Sequence, residues 1–499
     1  MRLLFCLPTT ALSGGVKVIF ELANRLTDGG EQVDIFSFAG SPKWFPLKAN
    51  LIEAKEIEAI DMAPYDFVLV SNAFMIPLVL PYLDESRCIL FCQDYESFHH
   101  ARGQTFHDFV SDCSTFTRIY KLPVPFISSS RAVQNLLHLH TGKESFYLPI
   151  GINKAIFSRQ PRKPPTDFKR VLMIGNYLMP YKGMRDGFEA LHKLSAEMPV
   201  ELVLVTQESR GRAVFNDLPY PVELHFCPTE EKMPGIIASC DAYCCASWYE
   251  GLGLPALEAF ACGVPVVSTR TYGVSDYGVD GVNLLLAEPN NPQDLYEKLR
   301  RLLSDESLAE RLRQAAFKSI EKDYDWDTSV EIFRHILNEI DRTYQGAGAV
   351  NPQAMRELLE KLEEEGNLTP IAVFRRFQQL AAELNDLSRQ MVSEGKPNAE
   401  SLRELSRLRD ELRLYLSNQN AEYYDAFKSK YDLCQLLLSL KDDARFGEYL
   451  ELILTRRRER EPRTATSFSE IRYTDPQLRH QEMDRTPLRL QRPDAQLSP

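Results

Sequence analysis

The chain has 499 residues, too many for one hydrophobic core, so two or three domains are expected. Hydrophobic residues make up 44% and charged residues 26%, which is ordinary for a soluble globular protein. The formal net charge of −12 argues against a dedicated nucleic-acid binder, while a local membrane patch remains compatible with that total.

The start, "MRLLFCLPTTALSGG", has too short an apolar run for a secretory signal and leads straight into a helix pattern. No uninterrupted apolar segment reaches about 18 residues, so no transmembrane helix is expected. The ten cysteines are scattered, several in apolar runs (Cys6, Cys88, Cys92, Cys262), which suits reduced, buried thiols in a cytoplasmic protein. Cys240, Cys244 and Cys245 cluster in "CDAYCC", but no second ligand pair follows at zinc spacing. They read as strand packing, and no metal site is expected.

In chain order, strand and helix patterns alternate. "RLLFCL" is a short apolar run, and "VKVIFELANRLTDGG" has helical spacing at Val18, Leu22 and Leu26. "QVDIFSF", "DFVLVS", "CILFCQ" and "PFISSS" read as further strands, the last leading into a helix, "RAVQNLLHLH". Such alternation with short turns predicts a parallel, doubly wound sheet. The proline-rich, basic stretch from Tyr147 to Arg170 has neither period and is placed as the interdomain linker. A second series follows: "RVLMIG", a helix from about Gly183, "VELVLVT", "VELHFC", "AYCCAS", "VPVVST" and a long helical region around "DLYEKLRRLLSDESLAERLRQAA".

The expected organisation is a first Rossmann-like domain over 1–160, a second over 161–345, a helical extension over 346–455 and a disordered tail over 456–499. In the extension Leu380, Leu384, Leu387 and Met391, then Leu402, Leu405, Leu408 and Leu412, keep helical spacing on a charged background. Dimerisation, docking on the body of the chain and contact with a protein partner through 350–455 all stay open, as does a helical bundle of unknown use. Two facing sheets leave a crevice at the carboxyl ends of their strands, where ligands bind.

One stretch carries most of the chemistry: "WYEGLGLPALEAFACGVPVVST". Gly251, Gly253 and Pro255 prevent one helix from covering both Glu250 and Glu258, so a helix is expected from about Pro255 through Ala261, ended by Gly263. Glu250 then stands on the loop and Glu258 about one turn into the helix, leaning back so that both acids face one small space. A helix start offers free N–H groups and a positive dipole end, which suit phosphate. Glycines let the backbone approach closely, and carboxylates accept hydrogen bonds from hydroxyls. The pattern therefore matches a nucleotide-sugar, with one acid for the sugar and one for the ribose; the alternative is a solvated pair beside a buried helix.

"EGLGLPALEAFACGVPVVST" resembles the E-x7-E segment of family 4 (group 1) glycosyltransferases. "GGVKVIFELANRLTDGGEQVDIFS", "SSSRAVQNLL", "YLPIGINKAIF" and "YGVSDYGVDGVNLLLAEPNNPQDLYEKLRRLLSD" resemble further family segments in the same order over about residues 1 to 340. The resemblance implies the GT-B fold: α/β, two facing Rossmann-like domains, here with a carboxyl-terminal α-helical extension. It also implies a retaining enzyme that moves a hexosyl or deoxyhexosyl group from a nucleotide-sugar donor to a hydroxyl acceptor, either a glycan or a lipid-linked molecule. No cofactor or metal is implied. The location implied is cytoplasmic, including peripheral association with a membrane, and surface-polysaccharide biosynthesis is an association the family carries.

By the same resemblance, Glu250 contacts donor-sugar hydroxyls, Glu258 the ribose, and N–H groups near Gly251 and Leu252 the distal phosphate. Gly14 and Gly15 let the first loop approach the donor or acceptor, or simply form a tight turn. Lys182 falls where the family places a phosphate-binding lysine; the alternative is an exposed turn lysine. The family's arginine is replaced by Asn176, with Arg185 either a second charge or an exposed helix arginine. "FCQDYESFHH" departs from the family's His-Asp pair and resembles rhamnosyltransferase-like members. Asp94 in it either orients an acceptor hydroxyl or donor sugar, or caps a strand end. The rival to an enzyme is a GT-B-like binding or scaffold protein working through its helical extension.

Overall fold

The computed structural model describes residues 1–344, apart from 96–118 and short breaks, together with most of 380–417 and a few residues up to 438. The first sheet has seven strands: β1 (Arg2–Leu7), β2 (Gln32–Ser37), β3 (Asn50–Ile52), β4 (Phe67–Val70), β5 (Cys88–Cys92), β6 (Phe126–Ser128) and β7 (Phe146–Tyr147). They lie in the order β3-β2-β1-β4-β5-β6-β7, and every pair is parallel. The second sheet has six: β8 (Lys169–Ile174), β9 (Val200–Thr206), β10 (Val222–Phe226), β11 (Ala242–Cys245), β12 (Val266–Thr269) and β13 (Leu285–Ala287). Their order is β10-β9-β8-β11-β12-β13, again wholly parallel. Both sheets thus turn back at their first strand, between β1 and β4 and between β8 and β11, and open a crevice at those two points.

The inner strands are largely apolar because helices cover both faces, so alternation is largely lost. β4, β11 and β12 are buried at every residue, whereas the edge strand β10 is half-buried. The strands missed by periodicity, β3, β7 and β13, have only two or three residues each, too few to show a period.

The helices are α1 (Gly14–Asp28), the single turn α2 (Ile76–Val79), α3 (Arg131–Thr141), α4 (Met184–Ser195), α5 (Met233–Ala238), α6 (Leu254–Cys262), α7 (Pro292–Ser304), α8 (Glu306–Asp323), α9 (Trp326–Tyr344) and α10 (Ala399–Ser417). Ser13 caps α1 by accepting the Val16 N–H at 3.2 Å, and Val18, Leu22 and Leu26 are buried along its inner face, as their spacing predicts. The long helical region expected around 294–316 consists of two helices. Asp305 between them is extended, and its carboxylate accepts the Leu308 N–H at 2.9 Å, so it ends α7 and caps α8.

α9, assigned by sequence to the second domain, crosses back to the first. Phe333 stacks on Phe5 with ring centroids 6.4 Å apart, and Arg334 donates to both carboxylate oxygens of Glu31 at 2.6 and 3.0 Å. The Arg334 hydrogen bonds hold the Glu31 carboxyl below its usual value of 4.5. A lowered carboxyl stabilises the fold fully above its unfolded value and loses that contribution as pH falls through the native one. Arg334→Met is therefore expected to cost about 1 kcal/mol or less near neutral pH. Urea unfolding should show the difference from wild type shrinking as the pH is lowered past about 4.

In the extension, Leu380, Leu384, Leu387 and Met391 are buried, as are Leu405, Leu408 and Leu412 of α10. Leu402, expected on the same face, is only half-buried, and its neighbour Ser401 takes the buried position. Asn398 caps α10 by accepting the Ser401 N–H at 2.8 Å, and an Arg407–Glu383 ion pair ties α10 to the preceding helical stretch. None of these residues belongs to the apolar clusters of the two sheets. The tail from 456 and the pair His99–His100 lie outside the described residues. Cys244 and Cys245 lie buried in β11, with Cys240 buried just before it, and burial pushes the Cys240 thiol up to about 11. No described helix is long and apolar enough to cross a membrane.

Candidate active site

The switch point of the second sheet is flanked by the loops that follow β8 and β11, and these carry Lys182 and Glu250. The first ends in a short turn, Pro180–Lys182, closed by Gly183 in the left-handed region at φ +56°. A Cβ on Gly183 would run into the Ala246 carbonyl, so only glycine lets this turn lie flat against the loop after β11. Two hydrogen bonds clip the loops together: the Trp248 N–H to the Tyr181 carbonyl at 2.7 Å, and the Trp248 indole N–H to Asp186 Oδ2 at 2.8 Å.

Lys182 Nζ consequently lies 2.9 Å from Glu250 Oε1, which also accepts the Ser247 hydroxyl at 2.7 Å. Burial would lower the Lys182 ammonium, but the Glu250 carboxylate outweighs it and holds the amine above its ordinary value. Beyond Glu250, α6 starts at Leu254 after Gly253 at φ +89° and ends at Gly263 at φ +78°, one residue longer at each end than the sequence pattern predicts. Among the described residues, the N–H groups of Gly251 and Leu252 donate to no protein acceptor.

Glu258 answers to a different cation. The sequence reading turned both acids toward one space, but Glu258 Oε1 is 2.7 Å from Lys17 Nζ, on α1 of the first domain. Lys17 Nζ is also 2.7 Å from Glu230 Oε1 and lies 4.5 Å from the Phe157 ring centroid. Sequence reasoning missed both Lys17 and Glu230. The one available signal was a lone lysine in the first turn of an otherwise apolar helix pattern, "GGVKVIFELA".

The first domain meets the donor loop directly. Ser130 Oγ donates to the Gly251 carbonyl at 2.6 Å and the Tyr95 N–H to the Tyr249 hydroxyl at 2.5 Å, while within the first domain the Gln93 amide donates to the Gly15 carbonyl at 3.0 Å. Asp276 accepts the Arg131 and Ala132 N–H groups at 2.7 and 3.0 Å, holding the start of α3. Gly14, Gly15 and Asp94 are thus gathered with Gly251 and Leu252. Arg185 is not: it is exposed on the first turn of α4, and its charge is felt at Asp186. Asn176 shapes the turn instead of supplying a charge, its Oδ1 accepting the Leu178 N–H at 2.9 Å.

Residues 155–319 match the family profile described as glycosyl transferases group 1. This part of the chain is similar to the group 1 glycosyltransferases. The chain is 25% identical over 305 residues to an uncharacterised glycosyltransferase of Methanocaldococcus jannaschii, covering 59% of this chain and 79% of that relative. An MMP alpha-(1->4)-mannosyltransferase of Mycolicibacterium hassiacum is 29% identical over 209 residues, which is 40% of this chain and 50% of that protein. The two sheets superpose on Anabaena HepE in complex with UDP-glucose with a TM-score of 0.55 at 16% identity, over 68% of this chain and all of that one. The fold is GT-B, and the group 1 domain is the half that carries Lys182, Glu250 and Glu258.

Within the group 1 domain, Gly251 shows how closely the first domain approaches. Its φ is not left-handed, so an alanine meets no backbone strain there. A Cβ would, however, run into the Gln93 carbonyl and fall 3.0 Å from Asp94 Cβ. Gly251→Ala is expected to keep the fold and to cut kcat/KM by about 10²-fold through misplacement of the two domains. Initial rates beside circular dichroism check this; an unchanged kcat/KM would show that the approach has no bearing on turnover.

Proposed function

We propose that the chain is a retaining glycosyltransferase that moves a hexosyl or deoxyhexosyl group from a nucleotide-sugar to a hydroxyl of a glycan or lipid-linked acceptor. The observation that carries this reading is the half-buried Lys182–Glu250 contact beside the unused N–H groups of Gly251 and Leu252. Those N–H groups and the start of α6 suit the distal phosphate, and Lys182 suits the negative charge that grows on the diphosphate as the sugar leaves. Glu250 accepts hydroxyls of the transferred sugar, and Glu258 those of the ribose. No metal is called for in this scheme.

The acceptor hydroxyl attacks C1 from the side on which the diphosphate departs. The C1–O bond to phosphate breaks as the new C1–O bond forms, and the hydroxyl proton passes to the departing phosphate oxygen. No enzyme carboxylate is needed as nucleophile, and Asp94, beside Gly251, orients the acceptor hydroxyl. The interdomain contacts from Ser130 and Tyr95 exclude water, which would otherwise take the sugar. A screen of nucleotide-sugars for nucleotide release, with glycan and lipid-linked acceptors, tests the reading. Release from one donor that rises with acceptor supports it. One observation favours a second reading, a binding scaffold: the extension buries its own apolar set apart from both sheets. Calorimetry that finds nucleotide binding without turnover on any acceptor would favour the scaffold.

A further inference from the structure

The Lys17 contact is built unlike an ordinary surface ion pair. The side chains of Glu258 and Glu230 are 10% and 12% exposed and that of Lys17 is 18% exposed, so one nitrogen serves two largely buried carboxylates. The carboxylates come from separate elements of the second domain, α6 and the turn after β10, while the ammonium reaches across from α1. Oxygens that touch one nitrogen lie within a few ångströms of each other, and both are held ready for a donor. An ammonium supplies three N–H donors; two neighbouring hydroxyls supply two O–H donors to the same acceptors.

We propose that Glu230 and Glu258 form one acceptor seat for the cis-diol of the donor's ribose, and that Lys17 occupies this seat and is displaced when a donor binds. The inference rests on the assignment of Glu258 to the ribose made above; Glu230 as the second acceptor and Lys17 as the displaced cation are additional to it. Lys17 hydrogen-bonds Glu258 but only ion-pairs with Glu230, whose buried Oε1 has no hydrogen-bond donor among the described residues, so a diol would give each carboxylate a donor while removing the positive charge. Displacement also breaks a link between the domains, so that donor entry loosens α1 from the second domain and releases the ammonium to solvent. Burial pushes the Glu230 carboxyl up, and the Lys17 charge beside it opposes that rise.

The test uses the full chain and calorimetry with UDP and GDP, each beside its 2′,3′-dideoxy analogue. Lys17→Met is expected to bind the ribose nucleotide about tenfold more tightly than wild type, because a binding site freed of an occluding group gains by its occupied fraction. The dideoxy analogue should gain nothing comparable. Glu230→Gln, which keeps the shape of the seat, should shrink the preference for ribose over dideoxyribose by about tenfold. Equal or weaker binding of the ribose nucleotide to Lys17→Met, with wild type binding it normally, overturns the displacement and leaves the proposed function standing. If Lys17→Met fails to fold, an unchanged ribose preference in Glu230→Gln overturns the seat. Failure of wild type and both variants to bind any nucleoside diphosphate overturns the proposed function itself.

Discussion

Lys182→Met is expected to lower kcat by about 10²- to 10³-fold with a smaller change in KM, the size seen when one preorganised charge is removed from a transition state. The split follows from timing. Charge on the leaving diphosphate grows as the C1–O bond breaks, so a cation placed for it contributes more at the transition state than in the donor complex. The turn that carries Lys182 is held by Gly183 against Ala246 and by Trp248, none of which needs the amine, so the variant should fold. Single-turnover rates with a saturating donor check the kcat effect; a loss confined to KM would make Lys182 a binding group only.

Glu250→Gln should lower kcat by about 10²-fold, and it should also change the pH profile. In the wild type, the Glu250 carboxylate holds the Lys182 amine above its ordinary value of 10.5 against the effect of burial. A raised amine keeps its charge below that value and loses it as pH rises through it. Glutamine removes the opposing charge and leaves burial to act, so the alkaline limb of kcat is expected to move to lower pH. Because the two residues act as one unit, Lys182→Met combined with Glu250→Gln should cost much less than the product of the single effects. Independent, multiplying effects together with an unmoved alkaline limb would break the coupling on which the proposed chemistry relies.

Much of the second sheet was legible because its signals are local. "VELVLVT" is β9 to the residue, and the glycines and proline of "EGLGLPALEAFACG" bound α6 to within one residue. The same locality explains the errors. β3, β7 and β13 are too short to carry a period, and the break inside the helical region after β13 rests on the single residue Asp305. Glu250 was named from the loop that holds it, and Lys182 from the family resemblance. Lys17 and Glu230 were not named, since a lysine in an apolar helix and a glutamate after a strand look like solvated residues until something is placed opposite them.

The sequence by itself determined the two α/β halves, the loop-then-helix start around Glu250, and the residue types suited to phosphate and hydroxyls. Each of these depends on neighbours within one or two turns of chain. Only the tertiary structure decided which charge faces which. Glu250 meets Lys182 across 68 positions, and Glu258 meets Lys17 across 241. Those partners are chosen by strand order, which brings the ends of β8 and β11 together, and by the packing of the first domain over the second. A side chain's charge and reach are written in its own residue; its partner is set by which distant strand end folds beside it.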